Sequence, residues 1–282
     1  MEKLNFAFIG TPDISRDTLD ILFGCGYIPS LIITSPDRKS GRGLELKETP
    51  VSIWAKNHNI KYLKPEKLDA SFIEEFEKYN IDLSIVVAYG KILPEKLINL
   101  PKLGTINIHY SLLPKYRGAS PLESTLLNGD TITGVSIQQM AFKLDSGPIL
   151  AEIESPIDIN ETKKDLKNKL IELGGDLLCE SIPNIINKNI IPKIQDESKA
   201  TYCSKIKKED GEIDLKIDPL VNYNKYRAFY EWPGVYFYKI KNDKKIRIKI
   251  KEALYENNLF VIKRVTPEGK KEISYDDFLK QN

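Results

Sequence analysis

Short apolar runs alternate with helical ones over the first half of the chain, and this alternation constrains the fold more than any other feature. Residues 5–9, 28–34, 83–88 and 104–109 read as strands, while 17–23, 51–57 and 72–79 carry helical spacing. Strand and helix taken in turn predict a parallel sheet wrapped by helices, an α/β class of Rossmann-like type. The run Leu83-Ser-Ile-Val-Val-Ala88 is apolar on both faces, as a central strand covered from both sides must be. Residues 121–127 then read as helix and 133–140 and 148–154 as strands. A capping pattern at Thr162–Asp165 opens a long helix with Leu166, Leu170, Leu173 and Leu177 on one side.

A second part begins near residue 205, where apolar density falls and charges cluster. Residues 220–230 read as helix, stopped by Trp232-Pro233-Gly234. Strands at 235–240 and 244–253 are joined at Asn242-Asp243, and another follows at 259–265. Closely spaced strands in so short a stretch predict a small barrel-like domain. In Lys244-Lys-Ile-Arg-Ile-Lys-Ile-Lys251 the isoleucines fall on one face, and Arg247, Lys249 and Lys251 on the other. Such a stripe either protects an edge strand against aggregation or tracks phosphates, and both readings stand.

The chemistry concentrates in one region. The chain has 2 histidines, and His58 lies in a polar run, so His109 is the natural proton-exchanging group near neutral pH. The alternation of a strand puts Ile106 and Ile108 on one face and Asn107 and His109 on the other. Leu112-Leu113-Pro114 breaks the strand, placing both polar groups near its C-terminal end, where open α/β sheets bind ligands. An amide and an imidazole side by side can hold an oxygen that turns negative during attack on a carbonyl. Asp145, in Leu144-Asp-Ser-Gly147, could orient the imidazole and favour its charged form. A structural asparagine beside a satisfied core histidine would give the same spacing.

The wider pattern decides between them. Asn107-Ile-His-Tyr-Ser-Leu-Leu-Pro-Lys-Tyr-Arg-Gly-Ala-Ser-Pro121, Gly134-Val-Ser-Ile-Gln-Gln-Met140 and Leu144-Asp-Ser-Gly147 resemble the 10-formyltetrahydrofolate-dependent formyltransferases. Four further segments are similar to the branch that formylates methionyl-tRNA. They are Gly10-Thr-Pro-Asp13, the Pro36-to-Gly43 loop ahead of Pro50-Val51, Val86-to-Pro94, and the Ala200-to-Asp214 linker with Thr201-Tyr202. The resemblance implies Asn107, His109 and Asp145 as the catalytic trio, with Ser111, Leu112, Leu113 and Pro114 forming one wall of the folate cleft. It implies a loop carrying Arg38, Lys39 and Arg42 that enters the tRNA acceptor stem, with Arg247 and Lys249 adding contacts from an OB-like domain. The expected division is a catalytic domain over 1–204 and a linker with a shortened OB-like domain over 205–282. Two alternatives stay open: a formyltransferase acting on a nucleotide-linked amino sugar with the same folate donor, and a catalytically silent tRNA-binding relative.

Three departures from the family pattern stand out. Tyr110 takes the place of a small residue and is expected to narrow the entrance beside His109. Ala141 replaces an acidic residue, and residues 254–265 lack strand-forming sequence usually present there.

Composition sets outer limits. A formal net charge of +2 over 282 residues announces no nucleic-acid partner, so RNA binding must come from local patches. Cys25, Cys179 and Cys203 have no metal-ligand spacing, and reduced thiols are expected. Two separate histidines supply no usual zinc set, and no Gly-x-Gly-x-x-Gly or Walker lysine points to a nucleotide cofactor. The start lacks a signal-peptide pattern and no apolar run could cross a bilayer. A cytoplasmic monomer is the expectation.

Overall fold

The computed structural model describes residues 4–40, 45–241 and 243–280. Strand β1 (Phe6–Gly10) leads into α1 (Asp13–Gly24) and β2 (Leu31–Ile33). An antiparallel pair, β3 (Arg38–Ser40) and β4 (Glu45–Lys47), precedes α2 (Pro50–Asn57), β5 (Tyr62–Leu63) and α3 (Ala70–Glu77). Then come β6 (Leu83–Val87), α4 (Glu95–Asn99), β7 (Thr105–His109), the short β8 (Arg117–Gly118) and α5 (Pro121–Leu127). The chain continues through β9 (Ile132–Gln139), β10 (Ile149–Pro156), α6 (Lys163–Ile186) and β11 (Tyr202–Cys203). Last come α7 (Pro219–Ala228), β12 (Tyr236–Lys241), β13 (Lys244–Glu256), β14 (Leu259–Pro267), β15 (Ile273–Ser274) and α8 (Tyr275–Lys280).

Seven strands form one sheet in the order β10-β9-β7-β6-β1-β2-β5. From β5 to β7 the pairings are parallel, while β9 runs antiparallel to β7. Every residue of β1 and β6 is buried, which explains their unbroken apolar sequences. On one face Ala7, Ile9, Leu31, Ile33 and Val86 pack with Phe72, Ile73 and Phe76 of α3; each of the larger side chains contributes roughly 1.5–3 kcal/mol on burial.

Local chemistry starts the helices where expected. Thr49 caps α2 by accepting the Ser52 N–H, and Asp69 caps α3 through the Phe72 N–H. At α6, Asp165 Oδ2 accepts from both Thr162 N and Thr162 Oγ1. The buried stripe of α6 differs from the expected one. It runs Leu166, Leu170, Leu178 and Ile182, with Leu173 and Leu177 half-buried at its margin. Gly174 takes the intervening step, where a Cβ would lie 3.1 Å from Val135.

The next glycine explains a correction to the expected thiol state. A Cβ on Gly175 would sit 2.6 Å from Ile21, so α1 and α6 approach closely there. Four residues further along both segments Cys25 meets Cys179, with Cα atoms 6.4 Å apart, and the two form a disulfide. Cys203 forms no disulfide, and its sulfur accepts the Ser120 N–H at 3.3 Å.

Contacts divide the chain into two compact units. The first comprises Met1–Ala119, Gly134–Glu154 and Lys169–Tyr202; the second comprises Ser120–Thr133, Ser155–Asn168 and Cys203–Asn282. The second carries an antiparallel sheet ordered β12-β13-β14-β15. Glu212 bridges Tyr236 in parallel beside it. The strand expected at 259–265 is β14, and with the end of β13 it carries residues 254–265 into a long antiparallel pair. Asn257 and Asn258, at φ of 52° and 61°, make its two-residue turn, a left-handed pair suited to the twist of a hairpin. Tyr223, Tyr255 and Phe260 stack across α7 and this pair. Among the described residues no helix is long and apolar enough to cross a membrane.

Candidate active site

The C-terminal ends of β1, β6 and β7 lie side by side in register, and the polar cluster is built at the last of them. His109 ends β7 and is buried. Asn107 is half-buried two residues earlier on the same face. Opposite them on β9, Gln138 pairs with Asn107 and Ser136 with His109, so four polar side chains share one face at the strand ends.

His109 is held from both sides. Its Nε2 lies 2.9 Å from the Tyr116 carbonyl oxygen, and its Nδ1 faces Asp145 Oδ2 at 3.8 Å. Tyr116 has φ of +58°, and its N–H donates to Thr201 Oγ1 at 2.8 Å. The Asp145 carboxylate accepts the Gly118 N–H at 2.8 Å and Gln138 Nε2 at 3.0 Å. Asp145 itself is left-handed, at φ of +45°, a conformation that outside glycine needs surrounding support.

That support comes from a buried arginine. Gln195 Nε2 donates to the carbonyls of Asp145 at 2.9 Å and Gly147 at 2.6 Å. Gln195 Oε1 accepts from Arg117 Nε at 3.1 Å and Nη2 at 2.8 Å. Arg117 is fully buried, yet Glu197 Oε1 lies 2.8 Å from its Nη2. Lys143, on the Asp145 loop, pairs with the other Glu197 oxygen at 2.7 Å. Hydrogen bonds first from Arg117 and then from Lys143 hold the Glu197 carboxyl down to about 2. A Cβ on Gly147 would meet the Gln139 carbonyl oxygen at 1.7 Å, so the loop returns against β9 only without a side chain there.

The remaining expected site residues fall in three places. Ser111 is buried and donates to the Lys115 carbonyl at 2.6 Å, and Leu113 is buried beside it; Leu112 and Pro114 keep partial exposure. Arg247 and Lys249 project from the exposed face of β13, while Ile248 and Ile250 are buried. Burial and then the charges of Lys251 and Arg247 push the Lys249 ammonium down. Arg38 is exposed opposite Lys47 in the β3–β4 pair, which also contains Lys39. Arg42 lies outside the described residues.

One expectation is reversed. Tyr110 points away from Asn107 and His109, into the side of the sheet covered by α1, with its hydroxyl 3.3 Å from Thr18 Oγ1. Burial pushes that hydroxyl well up from its usual range. Strand alternation accounts for this, since residue 110 shares the face of Ile108. The second histidine is structural: His58 stacks on Trp54 at 3.9 Å and its Nδ1 lies 2.9 Å from the Trp54 carbonyl. Among the described residues no three His, Cys, Asp or Glu side chains gather where a metal ion could be held.

Gln195 carries no mark in the sequence as a site residue, and Gln138 stands only within the Gly134-to-Met140 run, with no role assigned to it. Alternation from His109 gives no register across to β9, and nothing local to Gln195 connects it to Asp145 fifty residues away.

The chain belongs to the formyl transferase family, a class of formyl-transferring enzymes. Residues 26–182 match that family and residues 205–260 its C-terminal domain. Its relatives within it include methionyl-tRNA formyltransferases. That of Thermotoga maritima is 41% identical over 232 residues, 82% of this chain and 74% of the relative. That of Halalkalibacterium halodurans is 36% identical over 299 residues, 98% of this chain and 94% of the relative. Among solved structures, an N-formyltransferase from Helicobacter canadensis in complex with folinic acid and dTDP-3-aminofucose superposes with a TM-score of 0.64 at 20% identity, covering 96% of this chain and 98% of that one. HypX from Aquifex aeolicus in complex with tetrahydrofolic acid gives 0.67 at 15% identity, over 99% of this chain and 47% of that one. At these identities the structures share the fold.

Proposed function

We propose that this enzyme transfers a formyl group from 10-formyltetrahydrofolate to the α-amino group of methionyl-tRNA, making the formylmethionyl initiator for translation. The observation that carries the reading is the His109–Asp145 approach at 3.8 Å, at the end of a strand whose Asn107 shares the same face.

In this mechanism the neutral amine attacks the formyl carbon, and the carbonyl oxygen gains negative charge. Asn107 Nδ2 and His109 Nδ1 donate hydrogen bonds to that oxygen. The contact of Nε2 with the Tyr116 carbonyl supports this choice of nitrogen. Asp145 stabilises the charged imidazole and accepts, directly or through water, the proton that the amine loses. The bond to the folate nitrogen then breaks, and the tetrahydrofolate leaves with a proton. No covalent enzyme intermediate is needed, and the Ser111 hydroxyl, already bonded to Lys115, is not a nucleophile.

Leu112 and Pro114 present the apolar wall against which the pterin rests, with Ser111 and Leu113 fixing that wall from beneath. Arg38, Lys39 and Arg42 contact the acceptor stem, and Arg247 and Lys249 its phosphates. In this reading residues 1–204 carry the chemistry and 205–282 contribute tRNA affinity. The enzyme acts as a cytoplasmic monomer, where translation supplies its acceptor.

Single-turnover formylation of charged initiator tRNA tests the assignment. Formyl transfer to methionyl-tRNA that is lost in His109→Ala supports it. Transfer to a nucleotide-linked amino sugar in place of tRNA would move the activity to the sugar class.

A further inference from the structure

The geometry points to Gln138 as a positioning residue for the transfer, acting through the Asp145 carboxylate. The inference rests on the reading above that Asp145 takes part in the reaction. Gln138 is 1% exposed and faces the same side of the sheet as Asn107, its direct partner across β7 and β9. From there its Nε2 reaches Asp145 Oδ1 at 3.0 Å, while Gly118 N–H holds Oδ2 at 2.8 Å. The two donors grip one oxygen each, which fixes the plane of the carboxylate and turns Oδ2 toward His109 Nδ1.

The other half of the amide is left without a partner: Gln138 Oε1 is buried and accepts no hydrogen bond. A buried orphan acceptor is unfavourable, and an apolar side chain of similar shape would remove it. The glutamine therefore serves Asp145 at the expense of packing. Gln195 complements it by holding the carbonyls of Asp145 and Gly147, so Gln195 sets the backbone of the loop and Gln138 sets the rotation of the side chain at its tip.

The test is a double-mutant cycle between Gln138→Met and Asp145→Asn. Loss of the formyl group from 10-formyltetrahydrofolate is followed under single-turnover conditions. Wild type is first given methionyl-tRNA and an amino-sugar nucleotide, and the cycle is run on the acceptor it uses. The acceptor reports on the function proposed above, and the cycle reports on Gln138 alone. Gln138→Met is expected to slow the maximal rate about tenfold, the effect of one lost charge-assisted hydrogen bond. The apparent affinity for folate stays within about twofold, and on the Asp145→Asn background the same change costs less than about twofold. Gln138→Leu, a second apolar replacement without the donor, should lose about as much and covers the case in which methionine packs badly. An unchanged rate in both variants, or a loss undiminished on the Asp145→Asn background, would overturn the assignment.

Discussion

His109 Nε2 lies 2.9 Å from the carbonyl oxygen of Tyr116, and a carbonyl can only accept, so that nitrogen carries the hydrogen. The remaining nitrogen, Nδ1, is thereby turned to Asp145 and is the one available to a substrate. Replacing His109 with alanine removes both the proposed oxyanion donor and the partner of Asp145. The expected loss is about 10²–10⁴ in single-turnover rate, and Asn107→Ala should lose about 10²–10³. Tyr116→Ala should keep most activity, because the contact uses its main chain.

The bond between Gln195 and Arg117 makes a stability prediction. Arg117→Met leaves Gln195 Oε1 without its two donors inside the fold. The expected cost is about 2–4 kcal/mol, from a buried amide losing its partners and an arginine losing its packing. Urea unfolding measures it, and a cost below about 1 kcal/mol would show that the network is dispensable.

Glu197 gives this network a pH dependence. Its carboxyl is held down to about 2 from the usual 4.5, first by Arg117 and then by Lys143. A depressed folded value means that the stabilisation is fully present above about 4.5 and is lost as the pH falls toward about 2. Glu197→Gln should flatten that part of the profile in unfolding experiments between those limits and lower stability at neutral pH by the same amount, a small one since the group is largely exposed.

Gly147→Ala places a methyl group against the Gln139 carbonyl. Neither backbone can yield without moving Asp145, so we expect about 2–4 kcal/mol of lost stability together with lost formylation. Retained activity in a stable Gly147→Ala protein would mean that the loop has another route.

On β13, the double change Arg247→Ala, Lys249→Ala removes two exposed cations and leaves the Ile248–Ile250 face in place. Binding to tRNA should weaken, and the slope of log affinity against log salt should become shallower by about one to two. The maximal rate with saturating tRNA should be unaffected. An unchanged salt slope would assign this stripe to edge protection alone.

The disulfide offers a last check. Cys25 and Cys179 close a loop of 154 residues, so reduction or Cys179→Ser should cost about 2–4 kcal/mol. Thermal melts with and without reductant, alongside the mass of the alkylated protein, measure this directly.

Much of this was open to reading in the residues. Strand β6 is apolar at every position because both its faces are covered, and Asn107 and His109 share a face because strand side chains alternate. These are short-range rules, and the sheet and the catalytic strand followed from them. The same alternation should have sent Tyr110 the other way; comparing it with a small residue obscured this, since similarity in a motif says nothing of direction. Gln195 could not be found at all, because its partner lies fifty residues earlier in a different loop.

The sequence by itself determined the class of fold, the family, and the residues that carry the proposed chemistry, since each depends on periodicity or on a contiguous motif. The tertiary structure decided which imidazole nitrogen faces Asp145, which glutamine holds its carboxylate, and that Cys25 meets Cys179. Those outcomes depend on strand register and on how closely helices approach at Gly175, and register and approach are set by packing across long separations, which no local pattern encodes.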